Sequence, residues 1–155
     1  MDHLSSSQIT LYLQCGLKYK YQYIDQLPKP FRSSALAFGS ALHSALAWLH
    51  EQRMQGKNVS LDMLYKIFDA DWFTQKVDAK IRFKDGEQEM GLGMLGKEML
   101  ALYLQEPQKK LMGAEVRFNV PLVDPSTGES LGMNLEGFLD LVEADGTIVE
   151  FKTSA

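Results

Sequence analysis

A mixed α/β fold of the α+β kind, with N-terminal helices packed on a small, largely antiparallel sheet, is predicted for this 155-residue chain by three observations. Helical periodicity fills the sequence up to Pro107, strands rich in Val, Ile and Phe come only after it, and the last of these read as a hairpin. Helices followed by strands imply a helical layer on a sheet. With 45% hydrophobic residues the chain can bury one substantial core, so a single domain over 1–155 is expected.

Ser5-Ser6-Ser7 supplies an N-cap for a helix running to about Ile24, with Ile9, Leu13, Leu17 and Tyr21 four apart on one face. Pro28 and Pro30 end it and open a loop. A second helix starts near Ser33-Ser34 and continues to about Gln55, where Gly56 stops it. The third covers roughly Ser60 to Lys76 and carries Leu61, Leu64, Ile67, Phe68 and Trp72. Gly86, Gly91, Gly93 and Gly96 make Asp85 to Gly96 a mobile stretch, leading into a helix from about Glu89 to Gln105 that Pro107 closes. Strands follow over Ala114 to Leu122, Leu135 to Val142 and Thr147 to Thr153, with a Pro125-Ser126-Thr127-Gly128 turn between the first two.

Ala144-Asp145-Gly146 separates the last two strands, and a three-residue loop with Gly146 in the left-handed conformation is the favoured connection. That loop pairs Glu143 with Thr147 and sets Asp140 opposite Glu150, with Lys152 on the same face by period-two alternation. Leu139, Leu141, Val149 and Phe151 form the other, apolar face. Carboxylates facing each other across strands destabilise a sheet, and a divalent metal would neutralise them. The plain alternative is that a polar row on a hairpin is its solvated face. A two-residue loop would shift the register by one and separate Asp140 from Glu150.

Composition narrows the function classes. There is no run of eighteen apolar residues and no secretory signal pattern, so no membrane association is expected. The single cysteine, Cys15, excludes an internal disulfide and fits a reducing cytoplasm. A formal net charge of -4 argues against broad attraction to nucleic acid. Local basic clusters persist at Lys18 and Lys20, Lys29 and Arg32, Lys76 through Lys84, and Lys109-Lys110.

Gly39 and His43 lie four apart on the second helix and share a face. The imidazole leans toward the preceding turn, where the missing side chain leaves room for a metal, a water or a phosphate. Close helix packing is the plain explanation of the same glycine, and a lone histidine beside Leu42 and Leu46 is more often a packed core residue than a ligand. His3 and His50 have no comparable context.

Taken together, these elements carry a resemblance. The stretch from Ser5 to Cys15, followed by Lys18-Tyr19-Lys20-Tyr21 and Tyr23, resembles the opening of the RecB-like and AddB-like nucleases of the PD-(D/E)XK superfamily. Gly39-Ser40-Ala41-Leu42-His43 is similar to that family's Gly-x-x-x-His helix, and Gly137-Phe138-Leu139-Asp140 to its Gly-x-x-Asp strand. Glu150-Phe151-Lys152-Thr153-Ser154 matches its (D/E)-x-K-T strand. The resemblance implies a restriction-endonuclease-like core and a metal-dependent DNA nuclease, an exonuclease of repair or recombination partnered by a helicase or recombination protein. It implies His43, Asp140, Glu150 and the Phe151 carbonyl as ligands of magnesium or manganese. Catalytic roles fall to Asp140, Glu150 and Lys152, the lysine orienting or deprotonating the attacking water. Glu115 sits where family members often carry an acid on the first strand, although Glu115, Arg117 and Asn119 also simply alternate with Val116, Phe118 and Val120.

Family members continue past the lysine strand into a further helix, whereas this chain stops at Ala155, so an incomplete domain is expected, with a homodimer formed through the uncovered sheet. Cys15 occupies the place of an N-terminal iron–sulfur ligand in some members, but without partner cysteines no cluster is expected and the thiol reads as buried and inert. Two rival readings stay open: a non-catalytic binding or interaction module on the same fold, and a structural hairpin on a helical scaffold. DNA against RNA, exo- against endonuclease action and cleavage polarity are not decided by the residues.

Overall fold

The computed structural model describes residues 3–153, so Ser154 of the last motif and the chain end at Ala155 lie outside the described residues. The fold is mixed α/β, and its residues fall into two compact units. One takes the chain up to Pro28 and Glu115–Leu139; the other takes Lys29–Ala114 and the chain from Asp140 onward.

β1 (His3–Leu4) pairs in parallel with the part of β5 (Ser130–Glu143) that lies in the first unit, His3 against Asn134 and Leu4 against Leu135. On its other side β5 borders β4 (Leu111–Val123), where Arg117 bonds Glu136 and Asn134 bonds Asn119. The turn between these strands is held by Asp124, whose carboxylate accepts the amides of Ser126 and Thr127, with Gly128 in the left-handed region. The first predicted helix is broken. Ser5 caps α1 (Ser6–Gln14) in a reciprocal capping box with Gln8. Cys15 is then extended, α2 spans only Gly16–Tyr19, and Lys20–Ile24 make a π-helical turn. The interruption takes Ile9, Leu13, Leu17 and Tyr21 out of one row, and all four are exposed. Cys15 is exposed too, contrary to the buried thiol expected, because it is the break itself.

The second unit follows the local signals closely. Ser33 caps α3 (Ser34–Met54) through the Leu36 amide, and Gly56, at φ +73°, follows its end. Ser60 caps α4 (Leu61–Asp78) through Met63, and α5 runs over Glu89–Gln105. Short parallel strands β2 (Arg32–Ser33) and β3 (Ile81–Arg82) tie the start of α3 to the chain after α4. Phe38, Leu42 and Leu49 of α3 meet Leu64, Phe68 and Trp72 of α4 and Leu92 and Leu100 of α5. The Phe38 ring stands edge-on to Phe68 and to Trp72, both at 6.3 Å. Each such pair adds about 0.5–1.5 kcal/mol to the area buried. Among the described residues no helix is long and apolar enough to cross a membrane.

Gly96 of α5 has a packing purpose that its position in a glycine-rich stretch concealed. A Cβ there would lie 2.3 Å from Phe68 Cζ, inside the core. Gly96→Ala gains about 1 kcal/mol of helix propensity but overpacks a rigid ring, which costs about 1–3 kcal/mol or more. At so short a separation the clash wins. The variant should unfold at lower urea concentration than wild type, while Gly93→Ala, with nothing within 4 Å of its Cβ, should not.

Candidate functional site

The loop chemistry sets the geometry of the terminal hairpin. Gly146 has φ +88° and donates its amide to Glu143 O, and the Glu143 amide donates to Thr147 O at 2.9 Å. Asp145 Oδ1 accepts the Thr147 amide. β6 (Ile148–Val149) pairs antiparallel with β5, Leu141 opposite Val149 and Val142 opposite Ile148. This is the predicted register, and its continuation sets Asp140 across from Glu150.

The strand itself is shorter than the predicted Thr147 to Thr153, because β6 ends at Val149. Asp140 supplies the reason. Its Oδ2 accepts the Phe151 amide at 2.6 Å, taking a donor that a continuing ladder would have given to the backbone. Glu150, Phe151, Lys152 and Thr153 therefore lie on irregular backbone.

That backbone is pinned to the helices. The half-buried Phe151 ring lies among three others: His50 stacked at 6.1 Å and 17°, His43 edge-on at 6.1 Å, and Tyr103 of α5 edge-on at 5.4 Å. Thr153 lies against α3 at Gly39, where a Cβ would come within 2.8 Å of Thr153 Oγ1. The space above Gly39 is thus taken by the chain itself, not left for a metal, water or phosphate as one reading of the sequence supposed.

The candidate residues of this unit come together as two pairs. His43 Nδ1 lies 3.3 Å from Asp140 Oδ1, with the aspartate side chain only 12% exposed. Glu150 forms an ion pair with Lys152, and both side chains are exposed. Among the described residues no ion pair or hydrogen bond joins the second pair to the first. Glu115 belongs to the first unit; it is exposed on β4 at φ +50°, a left-handed conformation costing a non-glycine residue about 1–2 kcal/mol.

His43 and Asp140 suit a divalent cation. An imidazole nitrogen and a carboxylate oxygen are ordinary ligands for such ions. Their 3.3 Å separation is near the roughly 3.0 Å between adjacent ligands at right angles on an ion with bonds of about 2.1 Å. The carbonyl of Phe151 follows the amide that Asp140 already holds. Glu150, across from Asp140 in the continued register, is engaged by its own Lys152.

Two residues of the cradle were missed from the sequence. His50 is buried, its Nε2 is 2.8 Å from Tyr103 Oη, and its Nδ1 is buried with no hydrogen-bond partner. Seven residues from His43, it lies two helical turns along the same face, a spacing that could have flagged it. Burial, helped by Arg53, lowers its pKa from 6.5 to about 4, and burial pushes the Tyr103 phenol up. His50 is therefore neutral in the folded chain at pH 7. Between pH 6.5 and 4 the unfolded chain binds a proton that the folded chain does not, so stability should fall as pH falls through this window. At about 1.4 kcal/mol per pKa unit the loss is on the order of 3 kcal/mol. Urea midpoints from pH 7 to 4 should show it, and His50→Gln should flatten the profile.

A family model described as the PD-(D/E)XK nuclease superfamily matches residues 3–155, and the chain belongs to that superfamily. The mixed α/β fold agrees with the restriction-endonuclease-like fold of its members, which are generally nucleases that use divalent metals. No curated protein and no solved structure matches the chain.

Proposed function

We propose that this chain, as a member of the PD-(D/E)XK nuclease superfamily, is a metal-dependent DNA nuclease domain of the RecB-like kind. The observation that carries this reading is the His43–Asp140 contact, made where the chain leaves the terminal hairpin and immediately beside Glu150 and Lys152. Asp140 and His43 would hold magnesium or manganese, with the Phe151 carbonyl and Glu150 as further ligands. When bound, the cation supplies Lewis acidity toward a phosphodiester and makes water a stronger acid. Lys152 orients the attacking water and meets negative charge on the scissile phosphate. Water adds to phosphorus as the bond to the leaving sugar oxygen breaks, and that oxygen takes up a proton. Glu115 carries no step in this reading. Exonuclease action in cytoplasmic DNA repair or recombination, beside a helicase or recombination protein, is the role such a domain fits.

The Glu150–Lys152 ion pair favours a second reading. If the acid stays tied to its lysine, the fold serves as a non-catalytic DNA-binding module. Incubation with labelled single- and double-stranded DNA separates the two. A nuclease degrades DNA with magnesium or manganese and not with calcium or excess chelator; a binding module leaves it intact under every condition.

A further inference from the structure

We propose that a groove beside the start of α3 binds single-stranded DNA by stacking a base on Phe31 and contacting phosphates with Lys80 and Arg82. Backbone pairing builds the groove. Arg32 sits opposite Ile81 and Ser33 opposite Arg82, and the Arg32 amide donates to Lys80 O at 2.9 Å. The resulting groove encloses about 470 Å³ and is lined by Pro30, Phe31, Lys80, Ile81, Arg82 and Phe83. It holds two cations, two aromatic rings and no acid, in a chain whose formal net charge is -4. Neither Lys80 nor Arg82 makes an ion pair among the described residues. Exposed Lys29 and Lys84 extend these segments, with Asp78 and Asp85 flanking the second in sequence and the Glu87 carboxylate bonded to the Lys84 amide and to Ser34.

The aromatic rings select the strand form. Phe31 is 39% exposed, and the Arg82 guanidinium lies 5.0 Å from its ring centroid. An exposed ring backed by a cation is a surface for a base whose face is free. Bases in a duplex are stacked on each other and cannot offer that face, so charge alone would attract either form and the ring favours the single strand.

Position adds a second argument, which rests on the proposed nuclease reading. Phe31 lies three residues before α3, and His43 lies nine residues after its first residue, Ser34. At 1.5 Å per residue this is about 14 Å along the helix, a span that a few nucleotides of extended single strand cover. A strand anchored at Phe31 and running along α3 would have this distance to cover to the His43–Asp140 pair of the same compact unit.

Fluorescence anisotropy with a labelled single-stranded 12-mer, in excess chelator so that nothing is cleaved, tests the groove. Phe31→Ala should weaken binding about 5- to 100-fold, and Phe31→Trp should restore it. Arg82→Gln should make the slope of log K against log salt shallower by about 0.7, the share of one neutralised phosphate on a single strand. A duplex of the same sequence should compete less well than the single strand. Unchanged affinity in both Phe31→Ala and Arg82→Gln would overturn the proposal, as would equal binding of duplex or displacement by polyglutamate at equal charge. Should Phe31→Ala fail to fold, Arg82→Gln and the duplex competition decide it. Normal binding by the variants beside metal-dependent cleavage would sink the groove alone. Weakened binding in the variants, with the substrate left uncleaved by the wild-type chain in magnesium or manganese, would sink the nuclease reading alone.

Discussion

Replacing Lys152 by alanine is expected to reduce metal-dependent DNA cleavage by at least about 10²–10³-fold, the scale seen when one preorganised charge-stabilising group is removed from an active site. The ammonium group is exposed and close to Glu150, so it is free to reach a phosphate or a water without disturbing a packed core. Removing it should leave the fold intact, since an exposed ion pair contributes at most about 1 kcal/mol. It should also leave manganese affinity nearly unchanged, because a lysine that positions water is not a ligand. Single-turnover cleavage together with a manganese titration reads both quantities. Cleavage at the wild-type rate would remove Lys152 from the mechanism, and a large loss of metal affinity would give it a role other than the one assigned.

The largest effect on stability should come from Phe68→Ala, at about 3–5 kcal/mol. Phe68 has no exposed surface, its ring meets Phe38 edge-on, and Gly96 of α5 approaches it so closely that a Cβ would clash. Truncation leaves a cavity where α3, α4 and α5 converge, and close-packed helices close it only in part. Thermal melting should shift down by roughly 6–20 °C. Phe73, on the same helix but 63% exposed, provides the contrast: its alanine variant should melt within a few degrees of wild type. A Phe68→Ala variant as stable as wild type would show that the three helices do not depend on this contact.

The elements legible from the sequence were those whose signals are local. Ser33, Ser60 and Gly56 mark helix ends by satisfying or redirecting a few backbone groups, and α3, α4 and α5 begin and end within about two residues of the expected positions. The hairpin register was legible for the same reason, since a three-residue loop with glycine in the left-handed position leaves one pairing. The parts that stayed hidden depend on distant partners. β1, β2 and β3 are two residues long, too short for periodicity to speak, and each pairs in parallel with a segment far along the chain. The break at Cys15 opposed an apolar spacing that looked continuous. Nothing local said that Asp140 would capture the Phe151 amide, or that His50 and Tyr103 would hold the Phe151 ring. The candidate residues of the second unit were identified by type and spacing, but only the fold divides them into a His43–Asp140 pair and a Glu150–Lys152 pair.

Calorimetric titration of the chain with manganese, compared with Asp140→Ala, tests the metal centre most directly. The His43–Asp140 pair predicts a saturable heat in the wild type that disappears in Asp140→Ala and weakens in His43→Ala, with circular dichroism unchanged. Equal heats in wild type and Asp140→Ala, or no heat in either, would contradict the assignment of this pair as the seat of the cation.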